Sequence, residues 1–265
     1  MKILLTNDDG IDSPVLTLLA NALISDHEIV ISAPATDQSG MSQAFTHGVN
    51  RFLGYHQDVL SPFPKYQVSG TPCDCVKFAV AELQRGSAAP FDLIISGINL
   101  GENAGMSAVY SGTVAAAREG AMWGIPALAV SVWENHPDHL QSAVHWLKNL
   151  LQQNAKLPIQ AGYLWNINFP ACTPNEVRGV QFTTMSTVMF KDSYEAVTTN
   201  HGLKQFRLVG YKPKELFRVG TDDFALAQNY IAITPLQVDQ SQAGEAARLT
   251  ASGFKTHFPN SQEPR

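Results

Sequence analysis

A chain of 265 residues that is 45% hydrophobic and 15% charged can bury one large core, which excludes an intrinsically disordered protein. The net charge of −5, with no basic run longer than a pair, excludes a protein that wraps duplex nucleic acid but leaves small anionic ligands open. No apolar stretch reaches the roughly 18 residues of a membrane span, and no basic leader follows Met1, so a cytoplasmic location without membrane partners is expected.

Ile3 to Leu5 reads as a buried strand that stops at Thr6-Asn7-Asp8-Asp9-Gly10, a polar loop at the strand's carboxyl end. Val15 to Ile24 has apolar residues at helical spacing, with Pro14 in its first turn and Asp9 or Asp12 as candidate caps. Glu28 to Ala33 is a second strand closed by Pro34. A polar loop, Ala35 to Gln43, follows, and an irregular segment rich in Pro and aromatic residues runs to Ser69. Thr71 to Leu83 is a capped helix with Pro72 in its first turn, Phe91 to Ser96 an almost wholly apolar strand, and Gly97 to Ser111 a long glycine-rich loop. Thr113 to Trp123 (helix), Pro126 to Val132 (strand), Leu140 to Gln152 (helix) and Tyr163 to Phe169 (strand) continue the alternation. Strands and helices alternating at this spacing predict an α/β fold, Rossmann-like, with a doubly wound and mostly parallel sheet.

After Pro170 the pattern changes. Val177 to Thr183, Gln205 to Val209 and Tyr230 to Thr234 read as strands without long helices between them, a β-rich C-terminal extension. Pro235 to Arg265 is a polar tail with one short helix near Ala243 to Thr250, too poor in apolar surface to fold alone and therefore expected to pack on a neighbour. The expected organisation is a catalytic core over 1–170, an extension over 171–235 that completes the domain, and an arm over 236–265 for oligomer contacts.

Three of the loops leaving predicted parallel strands carry oxygen donors: Asp8 and Asp9 in the first, Ser39 in the second, Asn99 in the third. Ligands of open α/β sheets bind at that end of the strands. Two adjacent carboxylates repel unless a cation or proton compensates, and carboxylate, hydroxyl and amide oxygens suit magnesium, manganese or calcium better than zinc or copper. The competing reading makes the first loop a turn and helix cap. The third loop ends in Tyr110-Ser111-Gly112-Thr113 before an Ala-rich helix, so small residues and a helix amino end can cradle a phosphate, or Ser111 or Thr113 can simply cap the helix.

Other signals point away from chemistry. Cys73, Cys75 and Cys172 suit neither a zinc knuckle nor a disulfide framework and read as reduced, half-buried thiols. The histidines at 27, 47, 56, 136, 139, 145, 201 and 257 are scattered. No Gly-x-Ser-x-Gly elbow, Walker loop or dinucleotide fingerprint occurs. Asp222-Asp223 precedes an apolar helical pattern and reads as a cap, and Trp123, Trp133, Trp146 and Trp165 read as core.

Together these motifs resemble the SurE survival proteins, a family of metal-dependent 5'/3'-nucleotidases. The resemblance rests on Asn7-Asp8-Asp9-Gly10-Ile11, Ala33-Pro34 with Gln38-Ser39-Gly40, Ser69-Gly70-Thr71-Pro72, and Ser96-Gly97-Ile98-Asn99 with Gly101 and Asn103. Tyr110-Ser111-Gly112-Thr113, Gly124-Ile125-Pro126-Ala127, Gly220-Thr221-Asp222 and Ile233-Thr234-Pro235-Leu236 extend it over nearly the whole chain. It implies one divalent ion per subunit, magnesium or manganese, on Asp8, Asp9, Ser39 and Asn99, the four residues reached above from their chemistry. It also implies hydrolysis of nucleoside monophosphates, an exopolyphosphatase side activity, and homodimers or homotetramers with exchanged carboxyl-terminal elements. Val15, Cys73 and the pair Gln228-Asn229 depart from the family's usual small residues, and none is a presumed ligand.

The expected mechanism has Asp8 and Asp9 as catalytic residues and Asn99, Ser111, Gly112 and Thr113 as phosphate contacts, with water attacking phosphorus in line and Asp9 taking its proton. A covalent aspartyl-phosphate is the mechanistic rival, disfavoured because successive residues at a strand end diverge. A nucleotide-binding sensor without turnover is the functional rival.

Overall fold

The computed structural model describes residues 1–85, 89–133, 137–197 and 204–252. In chain order, β1 (Lys2–Thr6), α1 (Pro14–Leu23) and β2 (Glu28–Pro34) form the first βαβ unit. β3 (Tyr55–Asp58), β4 (Lys65–Val68) and α2 (Pro72–Phe78), which a π turn extends through Leu83, lead to β5 (Leu93–Leu100). Then come α3 (Ser107–Tyr110), α4 (Gly112–Met122), β6 (Ala127–Val132), α5 (Pro137–Gln153) and β7 (Tyr163–Phe169). The remainder is β8 (Val180–Phe182), β9 (Lys191–Val197), β10 (Gln205–Tyr211), α6 (Asp222–Ala227), β11 (Ile231–Gln237) and α7 (Ala243–Ala251).

One nine-stranded sheet in the order β3-β4-β2-β1-β5-β6-β7-β11-β8 carries the molecule, and β9 and β10 form a separate antiparallel hairpin. The strands from β4 through β7 pair in parallel; β3 on β4 and β11 on β7 are antiparallel. Successive residues of β1 serve opposite faces, as the strand period of two requires. Ile3 and Leu5 pack with Leu16 and Leu19 of α1 and Leu147 and Leu151 of α5, while Leu4 packs with Val76 of α2 and Val114 and Ala117 of α4. The chain leaves β1 towards β2 and β4 on one side and returns to β5 on the other, so a crevice opens between the carboxyl ends of β1 and β5.

The expected α/β class and mostly parallel sheet hold, and the differences have local causes. β3 and β4 lie in the segment expected to be irregular, because four-residue strands of mostly polar sequence at the margin of a sheet carry little periodicity. β5 runs on to Leu100 through a register shift between Ser96 and Asn99, where the sequence alone reads as loop. β8 and β11 join the main sheet, while β9, absent from the expected strands, pairs along its whole length with β10. Of the departing positions, Val15 is buried in the core and Asn229 sits at φ 62°, a left-handed conformation Asn tolerates. Trp123 is 48% exposed and donates Nε1 to Glu119, so it is not a core residue. His136, His201 and His257 and residues 253–265 of the expected arm lie outside the described residues.

Candidate active site

Asp8, Asp9, Ser39, Asn99 and Ser111 all line one cavity of about 670 Å³ at the β1/β5 crevice. Asp8 and Asp9 leave the end of β1 in a turn fixed by Asn7, whose Nδ2 donates to the Gly10 carbonyl (3.0 Å) and whose Oδ1 accepts from the Gly10 amide (3.2 Å). Gly10 holds φ 106°, a region that favours glycine. Neither Asp9 nor Asp12 caps α1; Ser13 is its N-cap and makes no side-chain bond there. The turn is therefore built for something other than starting a helix.

Ser39 is presented by an Asx turn in which Asp37 Oδ1 accepts from both the Ser39 amide (2.7 Å) and the Ser39 hydroxyl (2.6 Å). The hydroxyl proton is thus committed to Asp37, which leaves the Ser39 oxygen lone pairs for an electrophile. The rest of the loop is sewn down by Ser42, which donates to the Val109 carbonyl (2.8 Å), and by Thr46, which bonds buried Asp74 through amide and hydroxyl. Gln43 Nε2 reaches Cys73 Sγ, the Ala115 carbonyl and Glu119 Oε2, and Glu119 also pairs with Lys77 at 2.8 Å. Cys73 and Cys75 are fully buried free thiols whose pKa values burial pushes up, so both are structural.

Asn99 is aimed by the irregularity in β5. Gly97 has φ 125°, and a Cβ there would collide with the Val130 carbonyl, so only glycine passes. Asn99 Nδ2 donates to the Gly101 carbonyl at 2.8 Å, which leaves Oδ1 as the unused atom of the amide. Ser111 caps α4 by accepting from the Val114 amide at 3.1 Å, and its own proton is free for an oxygen in the cavity.

Gly112 and Thr113 stand behind Asp8 rather than in the cavity wall. A Cβ on Gly112 would lie 2.9 Å from Asp8 Cβ, so its absence lets the start of α4 press against the end of β1. The Thr113 hydroxyl, fully buried, donates to Asp8 Oδ1 at 2.5 Å. Burial raises the Asp8 pKa, and the Thr113 bond partly offsets this. Thr113→Val keeps the shape and removes only that bond. It is expected to lower kcat/KM by roughly 10- to 100-fold, the range for partners that orient a ligand, with a much smaller change in Tm. Steady-state kinetics and a melting curve check this, and unchanged turnover would contradict the orienting role.

Asp9 is the half-buried flank of an electrostatic problem. Its pKa is pushed up to about 6 by burial first and then by the charges of Asp8 and Asp37. Its Oδ2 is buried without a hydrogen-bond partner. No Lys, Arg or His lines the cavity among the described residues, so nothing there compensates these acids. A hard divalent cation among Asp8, Asp9, Ser39 and Asn99 would do so with an all-oxygen donor set.

The far wall comes from a part of the chain that carries no recognisable motif: Met189, Phe190, Asp192, Leu208 and Gly210 on and beside the β9–β10 hairpin. Behind it, Lys212 joins Glu102 (3.0 Å), Asp223 (2.9 Å) and the Ala104 carbonyl (2.8 Å). Asp222 accepts from the amides of Gly105 and Ser186, both at 2.8 Å, and of Asp223 at 2.9 Å. The expected cap role does not hold, since Thr221 is the N-cap of α6; the second acidic pair instead fastens the loop that follows Asn99. The signal that could have found Asp37 was its spacing from Ser39; nothing local marks Lys212 or Asp192.

These features define a doubly wound α/β protein with an acidic, oxygen-donor site at its topological switch point. The profile of the family described as Survival protein SurE matches residues 3–192, and the chain belongs to that family. It is 35% identical over 240 residues to a protein of Syntrophobacter fumaroxidans named 5'-nucleotidase SurE, covering 90% of this chain and 94% of that one. A protein of the same name from Methylobacillus flagellatus is 37% identical over 249 residues, covering 94% and 98%. The crystal structure of the SurE protein from Aquifex aeolicus superposes with a TM-score of 0.76 at 26% identity, covering 96% of this chain and 98% of that one.

Proposed function

We propose that this protein hydrolyses nucleoside 5'- and 3'-monophosphates to nucleoside and phosphate, with one magnesium or manganese ion held by Asp8, Asp9, Ser39 and Asn99. The 5'-nucleotidase activity is that named for the Syntrophobacter and Methylobacillus relatives. The observation that carries the metal assignment is the buried, unpartnered Asp9 Oδ2 in a cavity whose other donors are also oxygens. A bound divalent ion supplies Lewis acidity at the phosphoryl group and lowers the pKa of water.

The protein's own groups do the rest. Asp8, locked by Thr113, supplies a carboxylate of fixed orientation. Asp9, the less buried of the pair, takes the proton of the water that attacks phosphorus in line with the departing ribose oxygen. The Ser111 hydroxyl donates to a phosphoryl oxygen, while Gly112 and Thr113, behind Asp8, serve the site by seating the amino end of α4 against that carboxylate. Asn99 adds a contact at the same end. Short polyphosphate chains satisfy the same phosphate-centred contacts, and we assign their end hydrolysis as a side activity.

Residues 1–170 form the catalytic core in this reading, 171–235 complete it, and 236–265 serve oligomer contacts. Exposed Tyr194 and Phe206 on the hairpin and Leu249 on α7 support a homodimer or homotetramer. Three free cysteines suit the reducing cytoplasm. No helix among the described residues is long and apolar enough to cross a membrane. The deciding assay is phosphate release from 5'- and 3'-, ribo- and deoxyribonucleotides with magnesium, manganese or EDTA. Metal-dependent release is expected; binding without release across the panel would leave a sensor instead.

A further inference from the structure

We propose that Asp192 selects the base of the nucleotide and that the base it selects is guanine, an assignment that rests on the nucleotidase reading above. The cavity has three carboxylates in its wall, Asp8 and Asp9 at the strand ends and Asp192 on the hairpin. A phosphate dianion is repelled by an uncompensated carboxylate, so the phosphoryl group belongs with the cation at the strand ends. The uncharged end of the substrate is what meets Asp192.

Asp192 is placed for such a contact. It pairs directly across the hairpin with Gly210, and a Cβ on Gly210 would collide with Asp192 Oδ1, so the carboxylate lies over glycine backbone that only glycine leaves bare. Both residues line the cavity. The Asp192 side chain makes no hydrogen bond or ion pair with any described residue, so both oxygens are free to accept. Beside it the Phe190 ring lies over Lys212 Nζ at 5.2 Å from its centroid, which backs the ring from outside, and Met189 and Leu208 complete an apolar shelf. An aromatic shelf with a polar group at its edge is how proteins hold a single base: the face stacks and the edge is read.

A carboxylate only accepts, so the choice of base follows from where donors stand. Guanine alone presents two adjacent donors on one edge, N1–H and the 2-amino group, matching two carboxylate oxygens as a bidentate pair. Adenine and cytosine offer one amino group beside a ring nitrogen whose lone pair repels the second oxygen. Uracil offers one N–H between two carbonyls. Hypoxanthine keeps N1–H but lacks the amino group, which makes IMP the matched control for GMP.

The test is kcat/KM for GMP and IMP with the same metal, for the unchanged protein, Asp192→Asn and Gly210→Ala. Because Asp192 is exposed, the expected preference for GMP over IMP is about tenfold, the lower end of what one bidentate contact discriminates, expressed mainly in KM. Both variants are expected to bring the ratio close to one, the first by adding a donor, the second by displacing the carboxylate. Equal use of GMP and IMP by the unchanged protein, or a preference that survives Asp192→Asn, would overturn the assignment while leaving the nucleotidase reading intact. Silence on every nucleotide with metal present would remove that reading and this assignment with it.

Discussion

Asp9→Asn is expected to abolish turnover and at the same time raise the melting temperature of the metal-free protein. Turnover is expected to fall by at least about a thousandfold, because on the proposed reading one substitution removes both a cation ligand and the proton acceptor, each of which carries orders of magnitude in comparable sites. Stability moves the other way because the folded protein confines an ionised Asp9 next to Asp8 and Asp37, with one oxygen unpartnered. An amide has no charge to confine. The folded pKa of about 6 lies above the ordinary value of 3.8, so between these values the folded state binds more protons than the unfolded one. Stability of the metal-free protein therefore declines as pH rises through that window and is level above it. Asp9→Asn lacks the Asp9 share of this decline, so its stability falls less steeply with pH. Melting curves in EDTA from pH 4 to 7.5 check the slope, and a titration with manganese checks that cation affinity weakens below about pH 6, where protons compete. A variant that still turns over, or that melts with wild-type pH dependence, would refute the role given to Asp9.

Lys212→Met is expected to cost about 3–5 kcal/mol, the range for breaking a buried ion pair from one side. The Lys212 side chain is 5% exposed and those of its partners Asp223 and Glu102 are 1% and 18% exposed, so the methionine leaves two carboxylates and the Ala104 carbonyl without their donor. At about 2–4 °C per kcal/mol for a chain of this size, Tm falls by roughly 6–20 °C. The damage should come from the stranded acids and not from the lost volume. Lys212→Met combined with Glu102→Gln and Asp223→Asn is therefore expected to recover most of the loss, since replacing a whole buried ionic group is far milder than halving it. Urea unfolding of the single and triple variants measures this. A single variant within 1 kcal/mol of the unchanged protein would show that solvent reaches the cluster.

The residues legible in the sequence are those whose position follows from alternation. A strand that ends in a polar loop puts Asp8 and Asp9 at the sheet's carboxyl edge, and the same reasoning brings Ser39 and Asn99 there, because parallel strands share that edge. What was illegible depends on one element touching another. Thr113 reads as a cap, yet its hydroxyl turns to Asp8 because Gly112 lets α4 approach β1, a contact between residues 105 positions apart. Lys212 is one more surface-type lysine until the fold brings Glu102 and Asp223 around it. Phe190 and Asp192 sit in an exposed hairpin whose seven-residue strands show no apolar alternation against a core. The short strands β4 and β3 exist because β2 offers hydrogen bonds to β4 and β4 in turn to β3, and their own residues hardly ask for it.

The Asp222 staple sets an order of events during synthesis. Its bond to the Gly105 amide spans 117 positions of sequence, so it cannot close until α6 has been made. A ribosome that has released the chain only through β7 has made every oxygen donor of the strand-end site, but neither the staple nor the hairpin wall yet exists. Chains emerge from the ribosome amino end first, and closures over such distances come late. The nascent chain at that stage carries the strand-end donors beside an unfastened crevice, and a fragment aborted there lacks the wall formed by Met189, Phe190, Asp192, Leu208 and Gly210.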